Sequence, residues 1–385
     1  MKYIFVDTDN GTASPGTAVH TSSTWPSNAD RFNSLLNAEA DTTVRAEIDD
    51  ITFLCVGTAD DTQATISTSL SAASVTVQGD VSSATWNANK YTIAYSGGNQ
   101  VALTITKAAT TTLKNLQVSY TGTNAAPYAI RFNNGSPANT TENCHIRIGG
   151  AGASVGYGIR GQGSGGTFII KNTTIQVTGT PGGARYGIDR NFNSMSVYNC
   201  VVEGFSMTGG IGINGGGTIK NCAVFNNTDD FNGGTVSYCA SDDGDGTNAV
   251  TGLTWINQFE DYVNGDFRLK VGSSLIGAGI GPSSDANVPT TDIAGSTRSG
   301  TTTDIGVILY TAGGGITLTS VSGSSHLERV DIIGTGLSAG QTVTYNGVAC
   351  TTISASSSLN IRVTFPNFWT NNIKLGNTYE LKVRD

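Results

Sequence analysis

Charged side chains recur at regular intervals in the middle of the chain, where they are candidates for binding a ligand. Arg131 and Arg160 follow two related phrases, Tyr-Ala-Ile and Tyr-Gly-Ile, and Asp189 takes the same place in a third copy. Arg185 and Arg190 lie on either side of that aspartate. We predict that these five side chains form a contact surface for a partner or a glycan, with the row of arginines facing outward.

Carboxylates are the second group that could do chemistry, because glycoside hydrolysis needs two of them about 5–9.5 Å apart. The candidate pairs are Asp189 with Glu203 and Asp229 with Asp230, the latter in a loop. The arginines around Asp189 should lower its pKa and make it a poor general acid. We therefore interpret these acids as structural and assign no catalytic residue.

Metal-binding and nucleophilic motifs are weak in this sequence. The turn Asp242-Asp243-Gly244-Asp245-Gly246 has the oxygen density of a calcium loop, but no glutamate follows at the spacing that would complete the site. The histidines His20, His145 and His326 are scattered, and His145 is expected to point outward. We interpret the acidic turn as the end of the repeat region and assign no metal ligand and no cofactor.

A repeated phrase organises the elements that would position these residues. A short strand with an asparagine at the same place occurs five times, and a weaker sixth copy ends in Tyr238 and Cys239. The asparagines are Asn115, Asn143, Asn172, Asn199 and Asn221. The copies are roughly 28 residues apart at first and roughly 22 later, and a period of this size predicts a solenoid.

Each repeat should form one turn of a coil, because a single strand cannot bury its apolar face alone. Stacked turns pair in parallel about 4.8 Å apart, and asparagines stacked at a tight bend can form a ladder of amide hydrogen bonds. Four cysteines at equivalent positions are predicted to be buried thiols: Cys144, Cys200, Cys222 and Cys239. Three tyrosines each precede an inward isoleucine by two residues and are predicted to stack inside the coil or at a corner: Tyr128, Tyr157 and Tyr186.

These phrases resemble the right-handed parallel β-helix superfamily, the pectate-lyase-like solenoids, over roughly residues 45–310. The superfamily contains enzymes, adhesins and viral structural proteins, so the resemblance indicates architecture and not activity. Near the end of the coil, a segment containing Asp292, Arg298 and Asp304 resembles the terminal segment of β-helix repeat proteins. We expect the acidic and arginine side chains of this segment to pair and to fix the last loop.

The first part of the chain, residues 1–50, is predicted to hold a strand and a helix. The helix should begin after Ser27, with Asp30 as a capping-box variant. Three apolar residues then fall at helical spacing on one face: Phe32, Leu35 and Leu36. We expect this helix to cap the open end of the coil, where unpaired backbone groups would otherwise be exposed.

The coil itself is assigned to residues 51–310, and a glycine hinge at 313–315 separates it from residues 316–385. This last part reads as alternating strands, and its Gly-Thr-Gly-Leu, Val-Thr-Tyr-Asn-Gly and Val-Thr-Phe-Pro phrases resemble the IPT/TIG immunoglobulin-like family. The predicted fold class is therefore all-β. It consists of a right-handed parallel β-helix solenoid with an N-terminal helical cap and a C-terminal Ig-like β-sandwich.

Composition and charge narrow the classes of function. Charged residues make up 13% of the chain, and the net charge is −8. A nucleic-acid binder would need a dense basic stripe, so no nucleic acid is expected. No apolar run is long enough to span a membrane, and Met1–Asp7 enters a strand at once, with no signal peptide. Together with the resemblance, this favours a protein made in a host cytoplasm and carried on a phage virion.

The leading functional hypothesis is a non-enzymatic structural protein on the surface of a phage virion. It would be a capsid decoration protein, a cement protein or a fibre-like component, and its partners would be other capsid or tail proteins. The alternatives are a tailspike-like polysaccharide depolymerase and a glycan-binding adhesin. Because virion proteins match symmetric lattices and related β-helices associate side by side in threes, we expect a homotrimer.

Overall fold

The fold is described from a computed structural model. The described residues are 1–98, 101–122, 127–133, 138–149, 156–162, 166–179, 184–191 and 194–311, without the side chains of residues 184, 185 and 191, together with the backbone of seven strands between residues 317 and 384. The chain divides into two compact units, Met1–Leu309 and Tyr310–Asp385.

The first unit is a coil built from three parallel sheets of nine, seven and seven strands, and each complete turn contributes one strand to each sheet. Sheet A contains Lys2–Asp7, Ile51–Val56, Ser74–Gln78, Thr110–Lys114, Ala138–Glu142, Thr167–Lys171, Ser194–Tyr198, Thr218–Lys220 and Thr235–Ser237. Sheet B contains Thr92–Tyr95, Gln117–Tyr120, His145–Ile148, Thr174–Val177, Val201–Glu203, Ala223–Phe225 and Ala240–Ser241. Sheet C contains Ala64–Ile66, Val101–Ile105, Tyr128–Asn133, Gly156–Gln162, Ala184–Asn191, Ile211–Asn214 and Asp229–Asn232. Crossovers between parallel strands are right-handed, and the predicted right-handed parallel β-helix is confirmed.

The bend from sheet A to sheet B is made at the repeated asparagines. All five have φ between 47° and 56°, and Tyr238 takes the sixth position with φ of 54°. Asparagine tolerates this left-handed region better than most residues. Neighbouring side chains form the predicted amide ladder: Asn143 Nδ2 donates to Asn115 Oδ1 at 3.1 Å, and Asn172 Nδ2 donates to Asn143 Oδ1 at 3.0 Å.

The interior of the coil is a single apolar cluster that extends along all the turns. The four cysteines of the repeat lie in it as free, buried thiols, as predicted, and Cys55 is buried as well. Burial raises the pKa of the Cys144 thiol to about 12. The Cys144 thiol is therefore protonated and unreactive at neutral pH. Cys350 lies outside the described residues.

The N-terminal cap differs in detail from the prediction. Ser27 precedes only a short 3-10 turn, Asn28–Asp30, and Phe32 is not helical but is bridged to the coil's first strand at Val6. Two short helices follow, Leu35–Ala40 and Thr42–Ala46. The predicted helix start was wrong because Ser34 supplies the cap, accepting a hydrogen bond from the Asn37 amide.

These helices do cover the end of the coil. Leu35, Ala38 and Val44 belong to the interior cluster, whereas Leu36 is 45% exposed. The carboxylate of the buried Asp61 accepts hydrogen bonds from the Leu35 amide at 2.7 Å and from the Tyr91 hydroxyl at 2.6 Å. The cap is thus tied to the second and third turns by hydrogen bonds as well as by apolar contacts.

After the last turn, the chain runs back along the outside of the coil. We call residues 255–309 the return segment. It contains the 3-10 turns Trp255–Asn257 and Tyr262–Asn264 and the short strands Phe259–Asp261, Asp266–Leu269, Gly279–Ile280 and Thr302–Thr303. Its aromatic rings pack on sheet B, where Trp255 stacks on Phe225 with the ring centroids 4.0 Å apart. The outer face of sheet B is therefore covered.

The later part of the return segment lies along the amide ladder. Arg298 is 2% exposed, and its guanidinium donates to Asn172 Oδ1 at 2.8 Å and to the Gly306 carbonyl at 3.2 Å. The expected pairing with acids is electrostatic. Burial lowers the pKa of Arg298 to about 10, and the charges of Asp292 and Asp304 oppose this lowering in part. Arg298 thus donates one hydrogen bond to the ladder and two to the Thr291 and Gly306 carbonyls of the return segment, and so it joins the two.

The second unit contains two antiparallel sheets. One is formed by Thr317–Ser322, Arg329–Thr335, Asn360–Thr364 and Thr351–Ser357, and the other by Val348–Ala349, Thr342–Tyr345 and Leu381–Arg384. The proposed hinge at 313–315 lies outside the described residues. Among the helices that are described, none has the length and apolar character needed to cross a membrane.

Replacing Asn172 by alanine should lower the free energy of unfolding by about 3 kcal/mol. The substitution places an ordinary residue in the left-handed region and removes hydrogen bonds worth about 1 kcal/mol each to Asn143, Arg298 and the Thr291 carbonyl. Urea unfolding measures the change, with Thr140→Ala on the outer face of sheet A as the control. Asn172→Gly should recover the backbone part of the loss, and an alanine variant as stable as the control would contradict the role of the ladder.

Candidate functional site

The outer face of sheet C carries two rows of side chains in parallel register. The first row contains Val101, Tyr128, Tyr157, Tyr186, Ile211 and Asp229. The second row contains Thr104, Arg131, Arg160, Asp189, Asn214 and Asn232. Because neighbouring strands lie about 4.8 Å apart, five spacings extend the rows over about 24 Å.

The tyrosines stack as predicted, but they point out of the coil, so of the two predicted places, inside the coil or at a corner, the interior is wrong. Residues 129, 158 and 187, between each tyrosine and its isoleucine, are Ala, Gly and Gly. These residues face the interior: Ala129 belongs to the core cluster, and a Cβ on Gly158 would lie 2.4 Å from Ile175 Cγ2. The isoleucines also face inward, so two consecutive residues point inward and the simple alternation fails here.

The three tyrosines form a stack with arginines around it. The ring centroids of Tyr128 and Tyr157 are 4.8 Å apart with 10° between the planes, and those of Tyr157 and Tyr186 are 5.2 Å apart. Arg160 Cζ lies 4.4 Å from the Tyr157 centroid, and Arg160 Nη1 donates to the Tyr128 hydroxyl at 2.8 Å. Arg131 lies over the Tyr128 ring and donates to Gln162 Oε1 at 2.6 Å. The cation–π contacts thus fix the guanidinium groups on this face.

Asp189 completes the second row as the partner of an arginine. Its Oδ2 lies 3.1 Å from Arg160 Nε, and its Oδ1 accepts from Asn214 Nδ2 at 2.8 Å. The expected lowering of the Asp189 pKa was wrong: burial raises it, and Asn214 and Arg160 oppose that shift only in part. The sequence argument counted the neighbouring charges but not the desolvation of a carboxyl that is 8% exposed.

Arg190 does not belong to the outer rows. Arg190 is in register with Gly161 and, one turn earlier, with the buried Phe132, rather than with Arg131 and Arg160. Its guanidinium turns to the Gly216 carbonyl at the edge of the sheet. The prediction that Arg190 extends the outward row of arginines was therefore wrong by one residue in register. The side chain of Arg185 lies outside the described residues.

A group of three carboxylates lies at the C-terminal end of the same face. Oxygen atoms of Asp229, Asp243 and Asp245 all lie within 4.8 Å of one another. Burial, together with the charges of Asp243 and Asp245, raises the pKa of Asp229. Carboxylate oxygens are the ligands that Ca²⁺ prefers, although a calcium site needs six to eight oxygens and these three side chains supply only part of such a set.

The two candidate carboxylate pairs, whose acids the sequence analysis interpreted as structural, do not form. Asp229 lies in a strand, not in a loop, and faces outward, whereas Asp230 lies in the inward row with Gly212 and is fully buried. Glu203 lies on sheet B, not on the sheet C face that holds Asp189. Neither predicted pair therefore places two carboxylates side by side on one accessible surface.

Two acids have strongly raised pKa values, and both are covered. Burial raises the pKa of Glu203 to about 7, although Gln176 Nε2 donates to its Oε1 at 2.8 Å. Burial likewise raises the pKa of Asp230 to about 7. The return segment closes over Glu203, where Gln176 also donates to the Tyr262 carbonyl. Such shifts are typical of active sites, but here they follow from burial within the fold.

His145 faces out of the coil on sheet B, as expected, but it is covered. Its ring nitrogens lie 2.6 Å from Thr174 Oγ1 and 2.8 Å from the Ser83 carbonyl. Burial lowers its pKa to about 4. The imidazole is therefore neutral and fully engaged at physiological pH.

Two residues of the sheet C face were missed by the sequence analysis. Asn214 and Gln162 hold Asp189 and Arg131 in place. Asn214 could have been found from the sequence. It follows an Ile-Gly-Ile phrase, the fourth copy of the phrase that Arg160 and Asp189 follow in earlier turns. Gln162 has no such signal, since its role depends on the neighbouring turn.

Comparisons with known proteins bear on the fold alone. No protein-family model matches the sequence, and no curated protein matches it. Among solved structures, the chain is similar to the crystal structure of pectate lyase Pel9A, with 13% sequence identity and a TM-score of 0.39 over 80% of this chain and 96% of that chain. At these values the similarity carries no argument about activity, and the β-helix assignment rests on the strand register.

The buried Glu203 predicts a pH dependence of stability. Its folded-state pKa of about 7 lies above the ordinary value of 4.5 for a glutamate. The contribution of the protonated carboxyl to stability is therefore full below pH 4.5 and is lost as the pH rises through 7. The loss corresponds to about 3 kcal/mol. We therefore expect the stability gain of Glu203→Gln over the wild type to be about 3 kcal/mol larger at pH 8 than at pH 4.5.

Urea unfolding at the two pH values measures this difference. The control is Glu142→Gln, because Glu142 forms an exposed ion pair with Lys114 on sheet A. An equal stability difference between the Glu203 variant and the wild type at both pH values would show that the carboxyl is not held in a desolvated site.

Proposed function

We propose that this protein is a non-enzymatic structural protein of a phage virion surface and that the outer face of sheet C is its contact surface for a cell-surface glycan. The observation that carries the glycan contact is the in-register pair of rows, in which arginine, aspartate and asparagine side chains lie beside a tyrosine stack. Planar guanidinium groups with fixed geometry recognise carboxylate and hydroxyl oxygens well. The glycan would therefore bind along the row and not in a deep pocket.

The remaining features support a display role. A coil with a continuous core and a covered sheet B is a rigid support for the outer face of sheet C. On that face the Arg160 side chain is 22% exposed, and Tyr128, Tyr157 and Asp189 are 7–8% exposed. The antiparallel sheets of the second unit are compatible with an Ig-like domain that mediates contacts. Within this proposal the protein is a homotrimer attached to capsid or tail proteins, and light scattering together with binding to emptied phage heads tests that assembly.

The glycan contact is tested by measuring affinity with variants of Arg160. Glycans are first selected on an array with the wild-type protein, and dissociation constants are then measured by calorimetry. Arg160→Ala should weaken binding at least about tenfold, which corresponds to about 1.4 kcal/mol, and Arg160→Lys should recover only part because it lacks the guanidinium fork.

Lys171→Ala is the matched control for that experiment, because it removes the same charge from the outer face of sheet A. It should bind as the wild type does. Equal loss in the two alanine variants would indicate a general charge effect, and the absence of any glycan on the array would contradict the proposed contact.

A second candidate function is a polysaccharide depolymerase, and one observation favours it. Asp229, Asp243 and Asp245 bring three carboxylates together on the face that also holds Arg160. Acids and arginines on one surface are the groups that cleavage of an acidic polysaccharide would use. Release of reducing ends from a panel of polysaccharides, lost in Asp243→Asn, would favour this function over the non-enzymatic one.

A further inference from the structure

A groove lies at the bend from sheet A to sheet B, near the N-terminal end of the coil. It has a volume of about 340 Å³ and is lined by Trp25, Val56, Gln78, Val81 and Asn115, among others. This bend is the same one that the return segment covers farther along the coil, at Asn172, Asn199 and Asn221. The groove is therefore the continuation of a surface that already binds polypeptide.

The amide ladder has a direction, and its donor end opens into this groove. Asn143 donates to Asn115, Asn172 to Asn143 and Asn221 to Asn199. Between Asn172 and Asn199 the ladder is bridged by Arg298, which donates to Asn172 Oδ1. Among the described residues, nothing accepts a hydrogen bond from Asn115 Nδ2. The first amide of the ladder thus offers N–H groups that need an acceptor.

Glycine at the preceding position explains why the ladder stops. The Gly79 amide donates to the Lys114 carbonyl, just as the Asn115 amide donates to the Glu142 carbonyl one turn later. Gly79 therefore takes the asparagine position of its own turn. A Cβ there would lie 2.4 Å from the Asn115 carbonyl oxygen, so no side chain from this turn can extend the ladder, and the acceptor must come from elsewhere.

The covered part of the bend shows which acceptor fits. Asn172 Nδ2 donates to the Thr291 carbonyl at 2.9 Å, Asn221 Nδ2 to the Ile280 carbonyl at 2.9 Å and Asn199 Nδ2 to the Asp304 carbonyl at 3.1 Å. All three acceptors are backbone carbonyls of the return segment. The chemistry of this surface is therefore the capture of a polypeptide backbone by side-chain amides.

The rest of the groove suits one apolar side chain. Trp25 is 37% exposed and forms one wall, and Val56 and Val81 supply further apolar surface. We propose that the groove binds an extended polypeptide segment of a partner protein. A backbone carbonyl of that segment accepts from Asn115 Nδ2, and the neighbouring apolar side chain packs against Trp25 and Val81.

The experiment uses the full chain and blocked octapeptides with a central Leu, Val or Phe as probes. Binding is followed by calorimetry and by the ¹⁵N NMR signals of the Asn115 side-chain amide. The peptides should shift these signals in the wild type. Asn115→Asp should weaken binding at least about tenfold, because a carboxylate oxygen replaces the Nδ2 donor and cannot donate to the peptide carbonyl. Aspartate tolerates the left-handed backbone, so the bend is kept. Trp25→Ala should weaken binding to a similar extent.

Two matched variants control for indirect effects. Asn248→Asp makes the same change at an exposed asparagine outside the ladder whose φ is 56°, and Ile256→Ala removes an exposed apolar side chain elsewhere. Both should bind the peptides as the wild type does. The proposal is overturned if no peptide shifts the Asn115 amide at millimolar concentration, or if all four variants bind equally. It is also overturned if only N-acetylglucosamine oligomers, offered in a parallel arm, shift that amide.

Discussion

The left-handed bend between sheets A and B is the constraint on which the rest of the structure depends. In the six turns from Asn115 to Tyr238, the chain changes direction at one residue whose φ is near +50°. Asparagine meets the backbone requirement and also binds its neighbours through the side-chain amide. The same residue therefore shapes each turn, holds successive turns in register and supplies the surface on which Arg298 and the return segment pack.

The return segment decides which surfaces of the coil remain available. It covers sheet B and most of the ladder, and so it buries Glu203 and engages Arg147 through the Asn264 carbonyl. The raised pKa of Glu203 is a consequence of this cover. The carboxyl with the raised pKa thus lies where the return segment packs on sheet B. The surfaces suited to ligands lie elsewhere on the coil.

Sheet C owes its outer surface to a small departure from regular alternation. Two consecutive inward residues turn each tyrosine outward, and the narrow Gly158 and Gly187 make this possible because a Cβ there would collide with the core. The tyrosines then stack on one another and hold the arginines of the next row through cation–π contacts. The charged row is thereby preorganised before any ligand arrives.

The sequence by itself determined the coil, the bends and the buried thiols, because the period of the asparagine phrase and the local preference for φ > 0 act within one turn. It also placed Arg131, Arg160 and Asp189 in one row, since equivalent positions stack. Tertiary structure decided the rest. The side on which the tyrosines lie depends on the shift in alternation, and the pKa of Asp189 depends on its burial. The path of residues 255–309 depends on contacts between distant parts of the chain, which no local pattern encodes.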